Sequence, residues 1–385
     1  MKNNRTFLEK LLDGAEVKWI PLGDVADYEQ PTKYLVNSTV YNDNYPIPVL
    51  TAGKTFILGY TNEDEGIYFA SKSPVIIFDD FTTANKWVDF DFKAKSSAMK
   101  MITSKNEKFA LLKYIYYWLN TLPNNQIDGD HKRQWISNYA NKLIPIPPLS
   151  VQTEIVKILD TLTALTSELT SELILRRKQY EYYREKLLSF DSLEQLNMGG
   201  AKKKLIDVAI YAKVRISANK LNKENYVGVE NLLQNKLGKT SSNYVPTEGS
   251  FIEYLPNDIL IGNIRPYLRK IWLADKTGGT NGDVLVIRLT DKNILPRYLY
   301  HILANEHFFE YNIKYSKGTK MPRGDKAAIL QYEFDVPSLA EQHRIVSILD
   351  KFETLTNSIT EGLPLAIEQS QKRYEYYREL LLSFS

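Results

Sequence analysis

Tyr180-Glu181-Tyr182-Tyr183-Arg184-Glu185-Lys186-Leu187-Leu188-Ser189-Phe190 returns as Tyr374-Glu375-Tyr376-Tyr377-Arg378-Glu379-Leu380-Leu381-Leu382-Ser383-Phe384, with ten of eleven positions identical. So close a copy marks an internal duplication, which decides the architecture before any local pattern does. Upstream, Ile146–Asp160 aligns with Val336–Asp350, eight of fifteen positions being identical. The shared core is Pro, Leu, Gln, then Ile-Val-x-Ile-Leu-Asp, at Ile155–Asp160 and Ile345–Asp350. A fainter echo opens each half, Leu22-Gly23-Asp24-Val25-Ala26 beside Leu205-Ile206-Asp207-Val208-Ala209. The order is therefore A–B–A′–B′: a first variable domain over 1–145, a conserved segment over 146–200, a second variable domain over 201–335, and a second conserved segment over 336–385. B and B′ are near copies, whereas A and A′ share length and little sequence. One duplicated scaffold thus carries two modules whose surfaces differ.

Each conserved segment reads as a long helix. From Val151 to Phe190 there is no Gly or Pro, and apolar residues fall at Ile155, Ile158, Leu162, Leu165, Leu169 and Leu173, resuming at Tyr180, Tyr183 and Leu187. Steps of three and four make an a/d stripe. Roughly 39 residues of helix span about 58 Å. A single stripe on so long a helix needs a partner, and the matching stripe lies at Ile345, Ile348, Phe352, Leu355, Ile359, Tyr374, Tyr377 and Leu381. Between the two stretches of the repeat the second copy carries four extra residues, about one turn, next to Gly362 and Pro364. Proline removes a helical hydrogen bond, so the spacing predicts a straight first helix and a second one bent or broken at Pro364. Arg176-Arg177-Lys178 and Lys372-Arg373 fall on the polar face.

The variable domains mix strands and helices, giving an α+β fold class: two globular α/β domains joined by two long helices that pair in a coiled coil. Expected strands are Ser73–Phe78, Asp258–Gly262 and Asp283–Leu289; expected helices include Phe109–Leu119 and Leu299–Leu303. Several loops have the composition of nucleic-acid contacts. In the second domain they are Gly262–Lys270 (with Asn263, Arg265, Tyr267, Arg269 and Lys270), Lys276–Gly282 and Lys314–Gly324 (with Lys317, Lys320 and Arg323); Arg215 joins them. In the first domain they are Thr82–Trp87 (with Asn85 and Lys86) and Asn124–Trp135 (with Lys132, Arg133 and Gln134), together with Lys54. Arg and Lys fork onto the major-groove edge of guanine, and Asn or Gln onto that of adenine. Glycines let backbone approach phosphate closely.

Charge points the same way. The net charge is only +3. It is unevenly spread: Lys plus Arg against Asp plus Glu is 17 and 17 over 1–145, 6 and 8 over 146–200, 21 and 14 over 201–335, and 5 and 7 over 336–385. The excess sits in the second variable domain, as a polyanion footprint does. The absence of cysteine excludes disulfides and cysteine-held zinc and suits a reducing compartment. No apolar run approaches the roughly 20 residues of a membrane span, and Met1–Arg5 leads into no apolar signal core. A cytoplasmic location is expected.

Catalysis has little support. The four histidines, His131, His301, His307 and His343, show no metal-ligand spacing. There is no phosphate-binding GxxxxGK[ST] loop, Gly-rich cofactor fingerprint or Asn-Pro-Pro-Tyr-like methyltransferase motif. Asp79-Asp80 reads as a turn rather than a catalytic pair. No cofactor or metal is expected on this chain. The helices alone also suit an interaction scaffold, but that reading leaves two large dissimilar domains and the basic segment without a purpose.

These motifs resemble those of the specificity subunits of type I restriction-modification enzymes. The resemblance rests on Pro-x-Leu-x-x-Gln-x-x-Ile-Val-x-Ile-Leu-Asp at Pro147 and at Pro337, on the Tyr-Tyr-Arg-Glu-x-Leu-Leu-Ser-Phe helix ends, and on Gly262-Asn263-Ile264-Arg265-Pro266-Tyr267. It covers essentially the whole chain. It implies that each variable domain is a target recognition domain reading half of a bipartite site in double-stranded DNA, and that the two long helices form an antiparallel coiled coil that sets the spacer between the halves. It also implies two methyltransferase subunits docked on the helices and bringing S-adenosylmethionine, and separate restriction and motor subunits bringing ATP and magnesium. The first domain lacks an Arg-Pro-Tyr segment, so its candidates rest on loop equivalence alone.

Overall fold

A computed structural model describes residues 7–53, 55–123, 133–188, 201–358 and 360–384. Lys54, Lys132 and Ile359, expected above at contact or packing positions, lie outside the described residues, as do His131 and the rest of 124–132. The chain forms two compact units, residues 1–168 with 368–385 and residues 169–367.

The first unit runs through α1 (Phe7–Leu12), β1 (Lys18–Pro21), α2 (Leu22–Val25), β2 (Ala26–Glu29), β3 (Ile47–Leu50) and β4 (Ile57–Thr61). Then come β5 (Val75–Asp79), β6 (Asn85–Val88), β7 (Lys93–Ala94), β8 (Met99–Ser104), α3 (Leu112–Leu119), α4 (Gln134–Ser137) and β9 (Leu143–Ile146). An antiparallel sheet has the order β2-β8-β5-β6, a second sheet the order β4-β3-β7, and β1 pairs with β9. All five residues of β5 are buried, which explains why this strand reads as a continuous apolar run without alternation. Helix α3 covers the larger sheet with Leu112, Ile115 and Leu119.

The second unit repeats the plan. It comprises β10 (Ala201–Lys204), α6 (Leu205–Val208), β11 (Ala209–Tyr211), β12 (Arg215–Ser217), β13 (Tyr226–Val227), β14 (Ser250–Tyr254), β15 (Ile259–Gly262) and β16 (Ile271–Leu273). These are followed by β17 (Gly278–Thr280), β18 (Val284–Leu289), α7 (Pro296–Leu303), α8 (Glu306–Lys314), α9 (Lys326–Leu330) and β19 (Glu333–Val336). Its sheets are β11-β18-β15-β16 and β12-β14-β17-β13, and β10 pairs with β19. The four-stranded antiparallel orders correspond strand for strand, so two dissimilar sequences build one frame.

The conserved segments are α5 (Leu149–Leu188), α10 (Leu339–Asn357) and α11 (Gly362–Leu382). The first copy is one uninterrupted helix of 40 residues. The second is broken, but not at Pro364. The break precedes Gly362, whose backbone is left-handed (φ +82°). Pro364 falls in the first turn of α11, where its missing N–H has no helical partner to lose. Among the described residues no helix is long and apolar enough to cross a membrane.

Within each unit the pairing is antiparallel. In the first, the Thr166 and Ser370 hydroxyls are 2.8 Å apart, Tyr374 packs on Tyr117, and Leu381 joins Ile155 and Leu159 in one core. Positions fall along α5 as they rise along α11. In the second unit Arg177 donates to the Thr356 carbonyl, Tyr180 and Tyr183 stack on Phe352, and Leu188 shares a core with Ile345 and Leu349.

The expected stripe needs one correction. Ile155, Tyr180, Ile345 and Leu381 are buried, but Ile158, Leu162, Leu169, Phe352 and Tyr377 are half-buried, and Leu165 and Tyr183 are exposed. The fully buried face of α5 is Val151, Gln152, Ile155 and Leu159 at its start and Tyr180, Arg184 and Leu188 at its end. Those residues dock on the domains. A pair of helices has no third layer to cover its middle.

Duplicated polar residues fasten each domain to its helix. Gln152 and Gln342 are both fully buried. Gln152 accepts from Leu111 N–H and donates to the Phe109 and Pro147 carbonyls. Gln342 accepts from Leu295 N–H and donates to the Asn293 and Pro337 carbonyls. Likewise Asp160 accepts from the Tyr117 hydroxyl (2.5 Å), and Asp350 meets His301 Nε2 (2.8 Å) and Arg297 (2.7 Å).

Candidate nucleic-acid interface

In both domains the loop joining the last two strands of the four-stranded sheet is fastened to the segment that leads into the next short helix. In the first domain, Asp79 caps the turn after β5 by accepting from Phe81 N–H (2.9 Å) and Thr82 N–H (3.2 Å). The Asp80 carbonyl accepts from Gln134 N–H (2.8 Å), and its carboxylate from Trp135 N–H (2.8 Å). Buried Lys100 lies 3.7 Å from the same carboxylate and over the Tyr28 ring. Both aspartates therefore hold the turn and the start of α4, which accounts for them without catalysis.

In the second domain the β15–β16 loop, residues 263–270, does the same. The Asn263 carbonyl accepts from Gly324 N–H (3.1 Å), Asn263 N–H donates to the Asp283 carbonyl (2.8 Å), and Arg265 N–H donates to the Pro322 carbonyl (2.8 Å). Single bridges join Ile264 to Arg323 and Arg323 to Lys317. Gly324 is required here: a Cβ would lie 2.4 Å from Asn312 Oδ1 and 2.8 Å from Asn263 Oδ1. The turn after β5 and the β15–β16 loop thus occupy the same place in the frame, and so do the described residues 133–135 and residues 322–324 to which they are tied.

The expected contact residues divide by what they touch. Arg269 pairs with Glu306 (2.8 Å), and Lys270 donates to the Val229 carbonyl (2.7 Å), burial lowering its pKa. Lys317 pairs with Asp325 (2.5 Å) and Arg323 with Asp283 (2.7 Å). The hydrogen bond from Lys317 is the main cause of the depressed Asp325 pKa. Arg215 bonds to the Ser250 hydroxyl (2.9 Å). Asn263 is buried, so it supports the loop and does not project from it. Arg265, Tyr267 and Lys320 face solvent.

In the first domain Lys86 and Arg133 are exposed. Asn85 opens β6 opposite Phe78 with its side-chain carbonyl buried and unpartnered. Gln134, half-buried, accepts from Asn138 (3.1 Å). The structure adds apolar neighbours: Tyr315 and Met321 in the second domain, Phe81 and Ile136 in the first, all exposed on or beside these loops. Nothing in the sequence separates them from core residues, since an exposed and a buried aromatic look alike in a chain.

His301, Asp350 and Glu353 lie close enough together to suit a cation. Arg297 already bonds to both carboxylates (2.7 Å each), and burial lowers the His301 pKa despite its hydrogen bond to Asp350. The charge is satisfied internally, and the cluster serves as the joint between α7 and α10.

Comparison with known proteins agrees with this frame. The family model described as "Type I restriction modification DNA specificity domain" matches residues 15–176 and again 199–369. The chain is 50% identical, over 98% of its length and 97% of the relative's, to the type I restriction enzyme EcoR124I/EcoR124II specificity subunit of Escherichia coli. It is 39% identical, over the whole of both chains, to a putative type I restriction enzyme specificity subunit of Haemophilus influenzae. Its fold is similar to that of the S subunit of a type I restriction-modification system from M. genitalium, at TM-score 0.61 and 13% identity, over 97% of this chain and 98% of that one.

Proposed function

The chain belongs to the family of type I restriction-modification DNA specificity domains, and we propose that it reads a bipartite DNA sequence on behalf of partner subunits while catalysing nothing itself. Each variable domain contacts one half-site through its paired loops. Because the loops differ, the half-sites differ. The helices α5, α10 and α11 set the spacer between them and offer the surface on which two methyltransferase subunits dock. Those subunits supply S-adenosylmethionine and adenine methylation; restriction and motor subunits supply ATP-dependent cleavage. The observation that carries this reading is the duplication itself: one frame, built twice and fastened to its scaffold helix by equivalent buried Gln and part-exposed Asp residues, presents a loop pair with different side chains in each half. The first domain carries as many acidic as basic residues over 1–145, so the methyltransferase subunits contribute a large share of the phosphate contacts.

The test is to express the chain with the methyltransferase subunit of its own system in a host free of other adenine methylation, and to map modified bases by sequencing. A split motif that disappears without this chain supports the reading. A soluble complex that methylates nothing and binds DNA without salt-dependent affinity returns the chain to an interaction scaffold.

A further inference from the structure

The loops of the second domain carry more positive charge than they have free to offer. Arg269, Lys270, Lys317 and Arg323 are each committed within the unit, to Glu306, the Val229 carbonyl, Asp325 and Asp283. These bonds stiffen the loop pair. Among the described residues, no hydrogen bond or ion pair occupies the side chain of Arg265 or that of Lys320.

The two free cations differ in how they are held. Lys320 lies in the turn after Gly318, whose φ is +96°, and presents a compact charge on a long flexible stem. Arg265 sits on a fixed base. Its own backbone is left-handed (φ +52°, ψ +66°), a region that non-glycine residues enter at a cost and keep only where the surroundings impose it. Its N–H donates to the Pro322 carbonyl, and its carbonyl accepts from Leu268 N–H. Pro266 follows, and Ile264 before it is bridged to Arg323. A base fixed from both sides sets the direction in which the exposed side chain leaves the loop, and the planar guanidinium fork is pre-organised for bidentate contact.

We propose that Arg265 is the residue of the second domain that specifies a guanine, by donating two hydrogen bonds to its O6 and N7 in the major groove, whereas Lys320 contacts phosphate and carries no sequence information. This rests on the DNA-reading function proposed above. Arg269 and Arg323 act as positioning residues that hold the loop from either side.

The test is methylation mapping with the wild-type complex and three variants. If the wild type gives no split motif, the function proposed above fails and Arg265 falls with it. Given a wild-type motif, Arg265→Ala should relax a single G·C position in one half-site, reducing discrimination there about ten- to a hundredfold. The other positions, the spacer and the opposite half-site should be unchanged. Arg265→Gly, which accepts the left-handed backbone without strain, should give the same pattern and guards against misfolding of the alanine variant. Lys320→Ala should lower methylation across all sites with the motif intact. Full retention of the motif in both Arg265 variants, or a uniform loss at every position, overturns the assignment.

Discussion

Gln342 and Gln152 show what a duplicated polar residue is for. Each is buried at the start of a scaffold helix and bridges two main-chain groups of the domain before it and one, the carbonyl of Pro337 or Pro147, just ahead of the helix. The sequence marks them by repetition, but their task is visible only once the chain has brought Asn293 and Leu295 to Gln342, because glutamine has no periodicity of its own. Gln342→Ala leaves a buried N–H and two carbonyls without that partner. It is expected to cost about 3 kcal/mol, read as a lowered urea midpoint of the full chain; an unchanged midpoint contradicts the clamp. Where the first half places Tyr117 on Asp160, the second places His301 on Asp350. Burial, reinforced by the nearby Arg297 cation, holds the His301 pKa below its ordinary value, against the opposing pull of Asp350 and Glu353. As pH falls below about 6.5 the unfolded chain takes up a proton that the folded ring resists. Stability of the second unit should therefore decline on acidification from pH 7.5 to 5.5. His301→Gln should flatten that slope; an equal slope in the variant rules the histidine out.

At the scale of elements, the helices were the most legible part of the chain. A three-and-four stripe over forty residues without Gly or Pro admits one reading. What the stripe conceals is which positions dock on a domain and which face only the other helix: Tyr183 and Leu165 keep the period yet stay exposed. The break in the second copy was legible as an insertion beside Gly362 and Pro364, but the left-handed backbone that makes it belongs to Gly362, and Pro364 sits within the first turn of α11. A Cβ at Gly362 would lie 2.6 Å from the Thr354 carbonyl oxygen and 2.8 Å from that of Leu355, on a backbone already left-handed. Gly362→Ala should destabilise the α10–α11 corner by about 1–3 kcal/mol, measured by chemical denaturation, while Pro364→Ala should change little. The reverse order would return the break to Pro364. The loops were legible only in part. Composition located them, but not the internal ion pairs that occupy Arg269, Lys317 and Arg323, since Glu306, Asp325 and Asp283 come from other elements of the fold.

For the whole molecule, the proposed function has two separable variables: loop chemistry for the half-sites and helix length for their spacing. Removing four residues from the middle of α5 and four from α11 shortens each helix by about 6 Å, close to two base pairs at about 3.4 Å each. The methylated motif should lose about that many spacer positions with both half-sites retained; an unchanged spacer would separate helix length from spacing. The central claim, two independent readers on one scaffold, is tested most directly by exchange. Residues 201–335 are replaced by the corresponding segment of the Haemophilus influenzae relative, and methylated adenines are mapped in the complex with the same methyltransferase subunit. One half-site should change to a new sequence while the other half-site and the spacer stay as they were. A change in both half-sites, or in neither, would contradict the account.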